Sequence, residues 1–296
     1  MPYNTKRKGK NNMKTVTRID DINDPRVLPY RSLKMRHPDK DGLFVVESKP
    51  AVKALLESGM DIVSCLTTPR IYRELEMPDK RNIRFYLMEK KAIEDVIGFR
   101  FHHGVMMAAR LPKRRDLEKI PVDFSRPHLV VALNGVHDPQ NVGMIIRNAA
   151  AFGADALVVD AGTYEPFYRK VSRISMGSVF KIPVAYEEDL APALGTLRQK
   201  YGTKIVVSSL SPGAVSLEEA DLSDRLCLVL GNEFSGASEK LAETADLSVR
   251  IPHEFGKVDS LNVSCAAAVC LYQASLKRSL HKKSGPGDYT GTARFS

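Results

Sequence analysis

No apolar run in this 296-residue chain approaches the ~18 residues of a membrane-spanning helix. The longest runs, "HLVVAL" and "LCLVLG", are strand-length. The opening "MPYNTKRKGKNNMK" is basic but has no apolar segment, so it does not read as a secretory signal. There are only four cysteines, none in CxxC spacing, and no His/Cys cluster with zinc-ligand spacing. Cys227, Cys265 and Cys270 lie in apolar runs and are expected to be reduced core residues of a cytoplasmic protein. The chain also lacks GxGxxG and GKS/GKT, which argues against dinucleotide-binding and P-loop sites. It lacks GxSxG and any readable Ser-His-Asp or Cys-His arrangement, which argues against a nucleophile-elbow hydrolase.

What is present is positive charge. Lys and Arg number 44 against 35 Asp and Glu, a net +9, and an excess of that sign points to a polyanionic partner such as nucleic acid. With 43% hydrophobic residues the chain can build at least one full core, and its length suggests about two domains at ~150 residues each. Residues 1–23 read as a basic flexible arm, rich in Lys6, Arg7, Lys8, Lys10 and Lys14. Residues 24–112 alternate strands such as "IVSCLTTP" and "GVMMAARL" with helices ending near Gly59 and Gly98, a small α/β domain. Residues 113–125 carry prolines and charges without apolar periodicity and read as a linker. From 126 to 281 a β-α-β rhythm with near-continuous apolar strands predicts a parallel sheet with helices on both faces. Within it "YRKVSRISMGSVF" reads as a helix, and 282–296 as a flexible tail.

Open α/β sheets bind ligands beyond the carboxyl ends of their strands, so the loops after the strands carry the functional information. Four of these loops stand out. In "NGVHDPQNVGMIIRNAAAFG", Asn141 stands where a helix N-cap would. Arg147 sits among apolar neighbours, either as a rim ion pair or as a functional group. "SSLSPGA" presents Ser209 and Leu210 after a strand. In "LVLGNEFSGAS", Gly231 would let a ligand approach the backbone, and Glu233 offers a carboxylate before a helix start. In "IPHEFGKVDSLNVSCAAAV", Asn262 stands at a helix start ahead of a small-residue helix suited to close packing, internal or across a dimer.

Each loop alone has a bland reading as turn or cap, but their order does not. "PQNVGMIIRNAAAFGAD", "LVLGNEFSGAS" and "IPHEFGKVDSLNVSCAAAV" together resemble the three ordered motifs of the SpoU (TrmH-like) RNA 2′-O-ribose methyltransferases, over residues 126–281. "LFVVESKPAVKALLESG" and "FRFHHGVMMAAR" resemble the ribosomal-protein-like RNA-binding domain that can precede it, with Glu47-Ser48 where that family more often has Glu-Gly. The resemblance implies a parallel α/β domain with a deep carboxy-terminal trefoil knot and a homodimer acting on tRNA or rRNA. It implies S-adenosylmethionine held by Ser209, Leu210, Gly231, Asn232, Ile251, Ser260 and Leu261, largely through backbone groups, and no metal. Arg147 falls on the family's essential arginine, with Asn141, Glu233, Ser260 and Asn262 on the positions lining the catalytic pocket. Asn141 and Asn262 would hold the arginine loop and the ribose. Glu233 would neutralise Arg147 or anchor nearby backbone, and Ser260 would touch the hydroxyl or its phosphate. A guanidinium seldom gives up a proton, so Arg147 is expected to orient a phosphate and stabilise a developing alkoxide. The family's third motif is usually Pro-Met-x-Gly, whereas this chain has the longer Pro252-His253-Glu254-Phe255-Gly256. Two other readings stay open: a non-catalytic RNA-binding or assembly factor using Arg100, Arg110, Lys113, Arg114 and Arg115, and an RNA methyltransferase acting on a base nitrogen.

Overall fold

The computed structural model describes residues 16–31, 33, 42–75, 83–222, 224–254 and 256–284. Most of the basic arm, most of the carboxy-terminal tail and Phe255 lie outside them. The chain divides into two compact units, one of residues 1–113 with Phe167–Phe180, the other of Arg114–Pro166 with the chain from Lys181 onward.

The first unit is built on a five-stranded sheet ordered β1-β4-β3-β5-β2, where β1 is Val16–Arg18, β2 Leu43–Glu47, β3 Ile62–Thr67, β4 Arg84–Leu87 and β5 Val105–Arg110. β1, β3 and β4 run parallel, and β5 is antiparallel to β3 and β2. Helices α1 (Lys49–Glu57), α2 (Pro69–Glu74) and α3 (Lys90–Ile97) connect the strands. The stretch read as one helix over 168–180 is a short α5 (Arg169–Ile174), a turn through Met176 and Gly177 at positive φ, and a 3-10 turn. It packs with the first unit for physical reasons. Glu47 is 1% exposed, and its carboxylate accepts from Arg169 Nη1 at 2.8 Å, with Arg173 Nη1 at 3.2 Å. A carboxylate buried this deeply is tolerable only when paired. A Cβ on Gly177 would lie 2.7 Å from Ala54 Cβ and 2.9 Å from Ala51 Cα, so the turn approaches α1 as only glycine allows. Ser48, the departure from Glu-Gly, sits at φ 82°, ψ 143°, a region where glycine alone is at ease.

The second unit carries a seven-stranded, all-parallel sheet ordered β10-β12-β9-β11-β6-β7-β8. Here β6 is Leu129–Leu133, β7 Ala156–Asp160, β8 Val184–Glu187, β9 Lys204–Ser208, β10 Val215–Ser216, β11 Leu226–Leu230 and β12 Leu247–Arg250. The helices are α4 (Pro139–Ala151), α6 (Leu190–Tyr201), α7 (Glu239–Thr244) and α8 (Val263–Ser284). β6 and β11 are buried along their whole length, as their unbroken apolar sequences require. The stretch 113–125 is docked rather than free. Leu117, Ile120 and Phe124 join the core with Val130, Val158, Leu194 and Val229, because its scattered apolar side chains find a surface that periodicity could not reveal. Cys65, Cys227 and Cys270 are buried, whereas Cys265 is exposed on the first turn of α8, a correction to the core reading. Burial pushes the Cys270 thiol up to about 12.

Candidate functional site

Register sets the level at which the loops leave the second sheet. Leu230 of β11 lies opposite Leu133 of β6, and Val229 opposite Val207 of β9. The loops after β6, β9 and β11 therefore emerge side by side, and β12 sends its own loop to the same end. Together the loops after β9, β11 and β12 enclose a cleft of about 600 Å³. Its lining includes Ser209, Leu210, Gly231, Asn232, Glu233, Ile251, Ser260, Leu261 and Asn262, nine of the eleven residues singled out from the sequence. A cleft of this size suits a nucleoside-sized ligand.

Three side chains far apart in sequence stitch these loops together. Asn141 Nδ2 donates to Glu233 Oε1 at 2.8 Å, and Asn262 Nδ2 donates to Asn141 Oδ1 at 3.0 Å. Asn262 Oδ1 in turn accepts from Ser264 N (2.9 Å), Ser264 Oγ (2.7 Å) and Cys265 N (3.4 Å). Asn262 is thus the N-cap of α8, as its position suggested. Asn141 is not a cap: Asp138 caps α4, accepting from Gln140 N at 2.8 Å, and Pro139 takes the first helical position. Asn141 is a buried residue of the helix itself, and its amide bridges the carboxylate of one loop to the cap of another. Within one copy, Glu233 thus anchors the side chain of Asn141.

Arg147 does not line the cleft, and it is exposed. Among the described residues it makes no hydrogen bond or ion pair, so none of them forms the expected rim salt bridge with it. Six residues beyond Asn141, it stands about 120° around α4 from it. The charge that looked buried among apolar neighbours faces outward because Ile145, Ile146 and Ala149 take the core-facing positions. Asn148, next to it, ties α4 to α8, its Nδ2 donating to Ser264 O at 3.1 Å.

The glycine at 231 is needed for a different reason from the one expected. A Cβ there would fall 2.0 Å from Ala237 N and 2.1 Å from Gly236 C, so the loop's own backbone, not a ligand, excludes a side chain. Asn232 is likewise consumed internally. Its Nδ2 donates to Gly135 O at 2.7 Å, and its Oδ1 accepts from Phe234 N (2.9 Å) and Ser235 N (3.2 Å). Several contributors escaped the sequence reading. Asn134 Oδ1 accepts from Ser238 N at 2.8 Å and Asn134 Nδ2 donates to Asp160 Oδ2 at 2.7 Å, fixing the β11 loop to the centre of the sheet. The asparagine closing the β6 strand was the available signal. Phe234, His253 and Asp259 also line the cleft, and His253 Nδ1 lies 2.9 Å from Ile251 O.

Comparison with known proteins adds to this geometry. The SpoU rRNA Methylase family profile matches residues 128–272. An uncharacterized tRNA/rRNA methyltransferase of Mycobacterium bovis is 32% identical over 279 residues, 91% of this chain and 94% of that protein. The 23S rRNA (guanosine(2553)-2′-O)-methyltransferase of Bacillus subtilis is 28% identical over 257 residues, covering 86% of this chain and 97% of its own. The crystal structure of an AdoMet-bound rRNA methyltransferase from Sinorhizobium meliloti superposes with a TM-score of 0.75 at 28% identity, over 88% of this chain and 97% of that one.

Proposed function

The chain belongs to the SpoU rRNA methylase family, and on that premise we propose that it transfers a methyl group from S-adenosylmethionine to a ribose 2′-hydroxyl of ribosomal RNA. The observation that carries this reading is the Glu233–Asn141–Asn262 chain of hydrogen bonds, which fixes all three motif loops around one cleft. The cleft suits the donor. Leu210, Ile251 and Leu261 offer apolar contact, and the loop backbones at 208–211 and 231–237 border the cleft, where groups not spent on the loops' own hydrogen bonds can read a nucleoside. The sulfonium donor brings an activated methyl group. What falls to the protein is alignment, and holding two reactants in line supplies several kcal/mol of a barrier.

In this reading Ser260 and Asn262, exposed at the mouth of the cleft, receive the ribose and its phosphate. Glu233 and Asn141 keep Asn262 in place. Arg147 orients the phosphate and stabilises the developing alkoxide. It acts on the site of a second copy, because it points away from its own cleft. The homodimer that this requires is supported by an apolar stripe on α8, where Val269, Tyr272 and Leu276 are 40%, 52% and 42% exposed at 3- and 4-residue spacing. Met144, on the Arg147 face of α4, is 37% exposed as well. Isologous pairing of such stripes is the commonest route to a dimer.

The family's knot is read onto the sheet order. After β11 the chain passes to the far side of β9 as β12 and then returns as α8 against α4. The first unit, with exposed Arg100 and Lys113, is read as contacting RNA, as is exposed Arg115 at the start of the second unit. Arg110 and Arg114 are paired with Asp61 and Glu165 and contribute less. No helix among the described residues is long and apolar enough to cross a membrane. A ribosomal RNA substrate supports reading the reaction as cytoplasmic. The test uses the full chain, labelled donor and protein-free ribosomal RNA. Wild type transfers label. Arg147→Ala loses at least about 100-fold in rate while binding the donor as before. Full activity in that variant sinks the role given to the arginine.

A further inference from the structure

Phe234 is 98% exposed, whereas no other large apolar side chain among the described residues exceeds 55%. Exposed aromatic surface is unfavourable in water, and a loose loop would fold such a ring back onto the protein. This loop is not loose. Asn232 N donates to Gly236 O at 2.9 Å and Gly236 N to Asn232 O at 3.0 Å, closing a five-residue hairpin with Phe234 at its tip. Asn232 Oδ1 holds the amides of Phe234 and Ser235 from inside, and Asn232 Nδ2 fastens the whole turn to Gly135 O. Gly231 packs against the backbone of Gly236 and Ala237 with no room to spare. The preceding residue, Glu233, turns inward to Asn141, so its neighbour is presented outward. The ring stands at the rim of the cleft that Ser260 and Asn262 also line.

We propose that Phe234 is a stacking platform for an unpaired nucleobase of the RNA at the methylation site. This rests on the function proposed above, since the same cleft must receive an RNA ribose. Unpaired bases are splayed out and stacked on aromatic side chains, and every base offers a π-face, so the contact sets RNA affinity and orientation without choosing the base. An apolar residue without a π-face does not replace it.

The experiment compares the full chain with Phe234→Ala, Phe234→Leu and Phe234→Tyr, using tritium-labelled donor, a 23S rRNA transcript and donor-binding calorimetry. An exposed side chain can be changed without disturbing packing, so the variants fold. The expected result is a loss on the order of 10- to 100-fold in kcat/KM for RNA in the Ala and Leu variants, retention within about threefold in the Tyr variant, and an unchanged donor Kd. Equal activity of the Ala or Leu variant with an active wild type overturns the stacking role. So does a weakened donor Kd, which would place the ring in the donor site. Absence of transfer by the wild type itself is the separate failure of the underlying function, and the stacking role falls with it.

Discussion

At the scale of single residues, Asn141 is the joint of the site. Its amide gives one hydrogen bond to the Glu233 carboxylate and takes one from Asn262. Bonds to an ionised group are the stronger kind, and a buried partner left unpaired costs about 1–3 kcal/mol. Asn141→Ala should lower kcat by about 10- to 100-fold through misplacement of the loops, with a smaller change in donor Kd. Asn141→Asp should be worse than Ala, since it sets a second carboxylate against Glu233. Initial rates at saturating donor, compared across the two variants, check that order. From sequence, Asn141 passed for a helix cap because a cap and a bridging amide need the same residue type at neighbouring positions. Only the fold shows that Asp138 already does the capping. Ser48 gives a prediction of the opposite sign. At φ 82° it holds a conformation native to glycine, so Ser48→Gly should stabilise the first unit by about 1 kcal/mol, or 2–4 °C in thermal unfolding. An unchanged or lower Tm contradicts the strain argument.

At the scale of elements, strands and long helices were legible because their apolar patterns are local. "LVVAL" and "LCLVL" form β6 and β11, and "PQNVGMIIRNAAA" forms α4. What was not legible depended on partners. β10 has two residues and exists only beside β12. The 3-10 turn at Leu117–Lys119 is held by core burial and by Leu117 N donating to Glu187 Oε1 at 2.7 Å. The short α5 owes its place to Glu47, 122 residues away. The stripe on α8 belongs to this scale too. Its buried side packs Ala267, Cys270, Leu271 and Ala274 inward, leaving Val269, Tyr272 and Leu276 facing out. Tyr272→Glu should put a charge into the dimer contact and yield monomers in sedimentation velocity at micromolar concentration. Those monomers should still bind the donor but transfer no methyl group, since in the proposed arrangement Arg147 acts on the other copy. A monomeric wild type, or a fully active monomeric variant, contradicts this arrangement.

At the scale of the whole molecule, stability of the second unit is tied to pH through His128. It is buried at the foot of β6, with Nδ1 2.8 Å from Arg126 O and Nε2 2.8 Å from Thr203 Oγ1. The neutral ring meets both, donating from Nδ1 to the carbonyl and accepting the threonine hydroxyl at Nε2. Burial holds its pKa below the ordinary imidazole value, only partly offset by the Arg126 carbonyl and by Asp155. Below about pH 6.5 the unfolded chain therefore takes up a proton that the native state refuses, so stability is lost as pH falls from there toward the native pKa. Urea midpoints measured between pH 7.5 and 5 should fall more steeply for wild type than for His128→Asn. Parallel curves contradict this assignment. The net charge of +9 acts at the same scale, drawing a polyanion to the surface without choosing which one.

The central claim is that the atom methylated is a ribose oxygen. A methyl group on that oxygen removes the nucleophile for alkaline cleavage of the adjacent phosphodiester. Ribosomal RNA labelled by the purified chain with tritiated S-adenosylmethionine should therefore yield its label in alkali-resistant dinucleotides. Label recovered in mononucleotides would mean a methylated base, and no incorporated label would leave a binding protein on this fold. Either result contradicts the account.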